Sequence, residues 1–351
     1  MTNVSKYVGI FLLVLALVLG VTAVAPAVFG GGAPPGVQAE NASTFAPNAI
    51  LAGDFNESGE VQVDTNTTDK VVVIDAAHQN SFTRSEIQPL VEALIESGHE
   101  VRYHGSGQQA RSGFGGAGGP QTLNQSLRAA DALVVISPGT RYTTGEINGV
   151  RNFTERGGRV LMLAEPESIS VSLGGGGGLG ISIQQVQSQL TPLSSSYGIG
   201  VGTEYLFDMQ DNAKNFQYVY ASPTGDRTLT EGVDRVVFPQ STRVTVDGTN
   251  ATTALSTSDT TRLQSTRAAA TYPVAAQSGN VTTIGDASFL SPDFHTVADN
   301  EVLLGNVVEF LTSGEKVPKP SPTPNRPVGP GPGPGPGPTP VPPGPGTPAG
   351  G

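Results

Sequence analysis

The chain contains no cysteine and no tryptophan, and it is poor in lysine, histidine and methionine. Without cysteine there can be no disulfide scaffold, no zinc–thiolate site and no thiol nucleophile. Lysine occurs only at Lys6, Lys70, Lys214, Lys316 and Lys319. Lys and Arg together number 19 against 30 acidic residues, a formal charge of -11. A chain that neutralises a phosphate backbone needs a basic face, so nucleic acid is excluded as an expected partner. An acidic, Lys-poor, Thr- and Ala-rich composition is typical of exported proteins from salt-loving microbes.

What is abundant is glycine and proline, 46 and 28 of 351 residues. Much of both sits in low-complexity runs, so the foldable part is shorter than the chain. The N-terminus carries an apolar run from Val8 to Phe29, with no charge between Lys6 and Glu40. About 20 apolar residues suffice to cross a bilayer, with Lys6 on the cytoplasmic side. Residues 1–29 therefore read as an uncleaved anchor, or as a signal cut near Ala25-Pro26-Ala27. Either reading puts the bulk outside the cytoplasm: at the cell membrane as a single-pass protein, or secreted. Residues 30–68 read as an extracytoplasmic linker. Residues 314–351, mostly Pro and Gly without glycine at every third position, read as an extended, disordered tail or spacer. Asn-x-Ser/Thr sequons at Asn3, Asn41, Asn56, Asn66, Asn124, Asn152, Asn250 and Asn280 fit a glycosylated surface.

Residues 69–313 alternate strand and helix. Lys70–Ile74, His99–Tyr103, Asp131–Ile136, Arg159–Leu163 and Val281–Asp286 read as strands. Arg84–Ser97, Leu123–Ala130, Thr143–Glu155 and Val302–Leu311 read as helices, with Ser81 or Thr83 capping the first and Gly98 ending it. This predicts an α/β fold with a doubly wound, mostly parallel, flavodoxin-like sheet. Residues 170–280 are looser and β-rich: a helix is expected near 183–193, and short strands within 203–280 as an insertion or sheet extension. Gly105–Pro120 and Gly174–Gly178 read as flexible connectors, the former lacking the Lys-Ser/Thr of a phosphate loop.

Ligands in open parallel sheets bind beyond the carboxyl ends of the strands. Asp75, His78, Asn80, Ser137, Thr140, Glu165, Asp286, Asp293 and His295 should gather there. Carboxylates and imidazoles together can bind a ligand, hold a cation or perform acid–base work. Alternatively, Asp75 and Asp286 cap loops by accepting backbone N–H bonds. Ser137 has only part of a nucleophile elbow, and Pro138 beside it has no N–H to offer an oxyanion. His99 and His104, flanking a strand, are expected at the surface.

The order Asp131-Ala-Leu-Val-Val-Ile-Ser-Pro-Gly139, helix, Arg156-Gly-Gly-Arg-Val-Leu-Met-Leu-Ala-Glu-Pro166 resembles class I glutamine-amidotransferase-like domains. More broadly, 69–313 is similar to a secreted family of halophilic archaea and some bacteria known as a domain of unknown function (DUF4350-like). The carriers are Ile74-Asp-Ala-Ala-His-Gln-Asn80, Tyr197-Gly-Ile199, Gly285-Asp-Ala-Ser-Phe-Leu290 and Asn300-Glu-Val-Leu-Leu-Gly-Asn306. The last two also resemble extracytoplasmic auxiliary subunits of gliding-motility-type ABC transporters. The amidotransferase resemblance implies a Cys in the turn after Arg159–Leu163, where this chain has Ala164-Glu165-Pro166. The inherited catalysis is then lost. The resemblance implies a membrane-anchored, non-catalytic accessory or binding subunit of an envelope or transport assembly, with a protein partner, no cofactor and no metal. A small-molecule or glycan hydrolase using Asp75, His78 and Asp286, and a structural cell-surface protein, are the alternatives.

Overall fold

The computed structural model describes residues 59–65, 67–105, 122–173, 181–224, 229–248 and 250–317. The apolar run Val8–Phe29, most of the linker, both glycine-rich connectors, the tail beyond 317 and the sequons at Asn3, Asn41, Asn56 and Asn66 lie outside them. Among the described residues no helix is long and apolar enough to cross a membrane.

Five short strands form the parallel half of a nine-stranded sheet: β1 (Val71–Asp75), β2 (Glu100–His104), β3 (Ala132–Ile136), β4 (Arg159–Leu163) and β14 (Val281–Ile284). Their order is β2-β1-β3-β4-β14, that of a doubly wound flavodoxin-type sheet. These strands are continuous apolar runs because helices cover both faces. Val72, Ile74, Val134, Ile136, Leu161 and Leu163 point to one face, where α1 (Gln88–Glu96) and α5 (Asn300–Thr312) pack. Val73, Leu133, Val135, Val160 and Met162 point to the other, under α2 (Leu123–Ala129), α3 (Thr144–Thr154) and the short α4 (Thr191–Ser194).

The sheet does not end at β14. It continues antiparallel through β13 (Pro273–Ser278), β11 (Thr252–Thr257), β8 (Val219–Pro223) and β9 (Val236–Phe238). The β-rich stretch is thus an extension of the main sheet. It also supplies a separate three-stranded sheet of β7 (Ile199–Phe207), β10 (Thr242–Val246) and β12 (Arg262–Leu263). The helix expected over 183–193 is instead strand β6 (Ile181–Val186), antiparallel to β5 (Ser168–Leu173), followed by the single turn of α4. The Ser/apolar alternation of Ser-Ile-Ser-Val-Ser-Leu has period two, which suits a hairpin and not a helix.

His99 and His104, expected at the surface, are both buried. His99 Nδ1 accepts the Lys70 N–H at 3.4 Å, and His104 Nδ1 meets Ser126 Oγ at 3.0 Å. Burial lowers the pKa of each below the usual imidazole value. The folded body also begins before residue 69. Asp64 N–H donates to Glu309 of α5 at 2.7 Å, and Val61 and Val63 pack on the core.

Candidate functional site

The topological switch point lies between β1 and β3, and two loops meet there. After β1 the chain turns through Gln79 at φ 51°; after β3 it turns through Ser137 at φ 35°. Both are non-glycine residues in the left-handed region, a strained conformation held only by its surroundings. The surroundings are visible. Gly139 N–H and Thr140 N–H donate to His78 O at 2.9 and 3.0 Å, and Ser81 N–H donates to Ser137 O at 3.1 Å. Asn80 completes the stitch, accepting the His78 N–H at 3.0 Å and donating to Ile136 O at 3.0 Å. Asn80, Ser137 and Thr140 therefore hold the loops in place.

Asp75 and His78 form the first functional cluster, with two residues the sequence reading did not select. Asp75 is fully buried; it accepts the Ala77 N–H at 3.1 Å, meets His78 Nδ1 at 2.7 Å and accepts the Tyr142 hydroxyl. The Tyr142 ring stacks on the His78 imidazole with centroids 3.9 Å apart. The other imidazole nitrogen, Nε2, lies 3.5 Å from Glu146 Oε1. Glu146 reaches that position because it belongs to the capping box of α3: its Oε2 accepts the Thr143 N–H at 2.8 Å while Thr143 Oγ1 accepts the Glu146 N–H at 3.3 Å. Local helix chemistry thus delivers a carboxylate to the imidazole.

The electrostatics follow from this sandwich. Burial pushes the Asp75 carboxyl up, but hydrogen bonds from His78 and Tyr142 and the imidazolium charge outweigh it, so its pKa is lowered. Burial likewise pushes His78 down, yet Asp75 and Glu146 outweigh it and its pKa is raised. Burial and the neighbouring Asp75 charge hold the Tyr142 phenol well above its usual value. The cluster is an imidazole set between two carboxylates that favour its protonated form.

The second cluster sits at the ends of β4 and β14. Leu163 pairs with Ile284 in parallel register, so Glu165 and Asp286 each stand two residues beyond that pair. Asp286 is fully buried and accepts the Gln240 N–H at 2.6 Å and the Phe289 N–H at 2.9 Å. Glu165 Oε1 accepts the Ala287 N–H at 2.9 Å and the Ser288 hydroxyl at 3.0 Å. Burial lifts the Asp286 carboxyl to about 7, in spite of its backbone donors. Burial and the charge of Asp286 together hold Glu165 well above the usual carboxylate range. Burial of two neighbouring carboxyls thus disfavours ionising both at once.

A cleft of about 620 Å³ opens over Glu165, lined among others by Asn80, Gln240, Ser288, Asp293, Phe294 and Tyr218. Of the residues expected to converge, Asn80, Glu165 and Asp293 line it; Asp75, His78, Ser137, Thr140, Asp286 and His295 do not. Asp75 and His78 thus belong to one cluster and Asp286, beside Glu165, to the other. His295 folds back on its own turn, its Nδ1 3.2 Å from Ser291 O and 3.1 Å from Pro292 O. Of the described sequons, Asn124, Asn152 and Asn250 are exposed, while Asn280 is half-buried and its amide donates to Thr154 O at 2.9 Å. Among the described residues no group of three His, Asp or Glu side chains is arranged to hold a metal ion.

Comparison with solved structures places the fold. The mmIFT52 N-terminal domain superposes with a TM-score of 0.51 at 13% identity, covering 70% of this chain and 99% of that one. A ThuA-like protein from Parabacteroides merdae covers 72% of this chain and 93% of its own, with TM-score 0.39 and 10% identity. The exo-β-1,4-mannosidase Op5Man5 from Opitutaceae bacterium strain TAV5 gives 0.37 at 12% identity, over 71% of this chain and 37% of that enzyme. At these identities the first likeness concerns the fold alone, and the other two carry no argument. No curated protein matches the chain in sequence. Residues 68–278, well over half of the chain, match the family described as ABC-type uncharacterized transport system, and the chain belongs to that family of transport auxiliary proteins.

Proposed function

We propose that the chain is a non-catalytic accessory subunit of an ABC-type transport assembly, held outside the cytoplasm by its N-terminal apolar segment. The family match over residues 68–278 is the observation that carries this reading. The site chemistry supports its non-catalytic part. Asp75, Glu165 and Asp286 all spend oxygens on groups of their own fold, and His78 is flanked by carboxylates on both nitrogens. A general base needs a ring nitrogen turned to its substrate, and both nitrogens of His78 face carboxylates of the fold.

In this reading the body is an amidotransferase-like layer whose reactive corner, Ala164-Glu165-Pro166, lacks the nucleophile. Segment Val8–Phe29 anchors it, and the Pro/Gly tail after Val317 acts as a spacer. The partner is a protein of the transport assembly, and the charge of -11 argues against nucleic acid.

The test is fractionation, protease shaving and co-purification of a tagged full chain from its native cells in mild detergent. The expected result is a membrane-bound chain, cleaved by protease added outside, that brings down membrane or ATPase subunits of a transporter. A cytosolic, protease-protected chain, or one that purifies without any transporter subunit, would refute the proposal.

A further inference from the structure

The cleft over Glu165 has a chemical character that points to a class of ligand. Its volume of about 620 Å³ falls within the usual range of about 300–1,000 Å³ for small-molecule sites. No Lys, Arg or His stands among the described residues that line it, so an anion would find no counter-charge. Glu86 and Asp293 do carry charge, but both are exposed at the rim, where solvent screens them. The deeper carboxyl, Glu165, lies against buried Asp286, and burial and that neighbour hold its pKa well above the usual carboxylate range, which disfavours the ionised form that a cation would pair with.

What remains favours a neutral ligand with many hydroxyls. Tyr218 and Phe294 form an edge-to-face pair, centroids 5.0 Å apart, that gives the cleft an aromatic wall suited to a C–H-rich face. Gln240, Asn80 and Ser288 supply amide and hydroxyl groups, and an undissociated carboxyl both donates and accepts. Rings, amides and a neutral acid together match the alternating apolar and hydroxyl surfaces of a sugar.

We propose that this cleft binds a neutral saccharide, held between the Tyr218–Phe294 ring pair and the side chains of Glu165, Gln240 and Ser288. The site stands apart from the transport reading: either can fail while the other holds. The test is calorimetric titration of the purified full chain with maltose, cellobiose and N,N'-diacetylchitobiose as neutral probes, spermidine as a cation and citrate as an anion. At least one disaccharide is expected to bind saturably, with no binding of spermidine or citrate at the cleft. Loss of the ring or of the deep donor, in Phe294→Ala or Glu165→Ala, should weaken it about tenfold. Glu165→Gln, which keeps a donor and an acceptor, should stay within about threefold. Gln240→Ala, at an exposed position, gives the same reading should Phe294→Ala fail to fold. The proposal is overturned if no disaccharide binds up to about 10 mM, since weaker affinity is below about 3 kcal/mol. It is also overturned if spermidine or citrate occupies the cleft, or if the Glu165→Ala and Gln240→Ala variants bind as the parent does.

Discussion

Replacing Glu165 by Gln should change how stability depends on pH more than stability itself. Glu165 accepts two hydrogen bonds through Oε1, from Ala287 N–H and the Ser288 hydroxyl. A glutamine carbonyl can keep both, and its amide stands where the undissociated carboxyl had its O–H. At pH 5 the variant is therefore expected within about 1 kcal/mol of the parent. The sign of the pH effect follows from the raised folded-state values of both acids. Above about pH 4.5 the unfolded chain has released both protons while the folded chain retains them. Stability then falls as pH rises, by about 1.4 kcal/mol per unit for each such group. The fall from Asp286 ends near pH 7, where its own folded-state carboxyl ionises. Between pH 5 and 7 Asp286 should cost parent and Glu165→Gln alike about 2 kcal/mol, and the parent should lose more because Glu165, also raised, adds to the fall. The variant's stability relative to the parent should therefore rise with pH across this range. Urea unfolding of the full chain by circular dichroism at pH 5, 6, 7 and 8 measures this directly. Parallel curves for parent and variant, or a variant less stable at every pH, would refute the buried-pair argument.

Other consequences follow from the His78 sandwich and from Lys316. Tyr142→Phe removes the hydroxyl donated to Asp75 and should cost about 1.5–3 kcal/mol, as for a hydrogen bond to a charged group. Asp75 has a lowered folded-state pKa, so its contribution exists above its ordinary value and is lost on acidification; acid unfolding of Tyr142→Phe should begin at higher pH. Asp75→Asn should drop the His78 pKa, read by NMR titration, to its ordinary value or below, because burial then outweighs Glu146. In the parent the His78 contribution is full below about pH 6.5 and fades as pH rises through its raised folded value. The Lys316 ammonium donates to Leu127 O, Arg128 O and Ala130 O at the end of α2. Lys316→Met should cost about 1–2 kcal/mol and speed hydrogen exchange in that helix.

The parallel half of the sheet was legible because its strands are buried on both faces and read as unbroken apolar runs, as Ala132–Ile136 does. Strand β7 was not, because Ile-Gly-Val-Gly-Thr-Glu-Tyr-Leu-Phe carries two glycines and a carboxylate where a run was sought. At the site, Asp75 and His78 follow a visible strand end. Tyr142, 67 residues from its partner Asp75, reaches it only through the pairing of β1 with β3. The signal for Glu146 was present in the Thr143-x-x-Glu capping pattern, but nothing in the chain said what the other carboxylate oxygen would face. The Glu165–Asp286 pair became readable only once β14 was known to lie beside β4 in register.

The central claim, an accessory subunit in an ABC-type transport assembly, is tested most directly by crosslinking mass spectrometry on intact cells. Crosslinks are expected from the lysines of the folded body, Lys70, Lys214 and Lys316, to subunits of one transporter. Crosslinks confined to this chain, or to proteins with no part in transport, would contradict it.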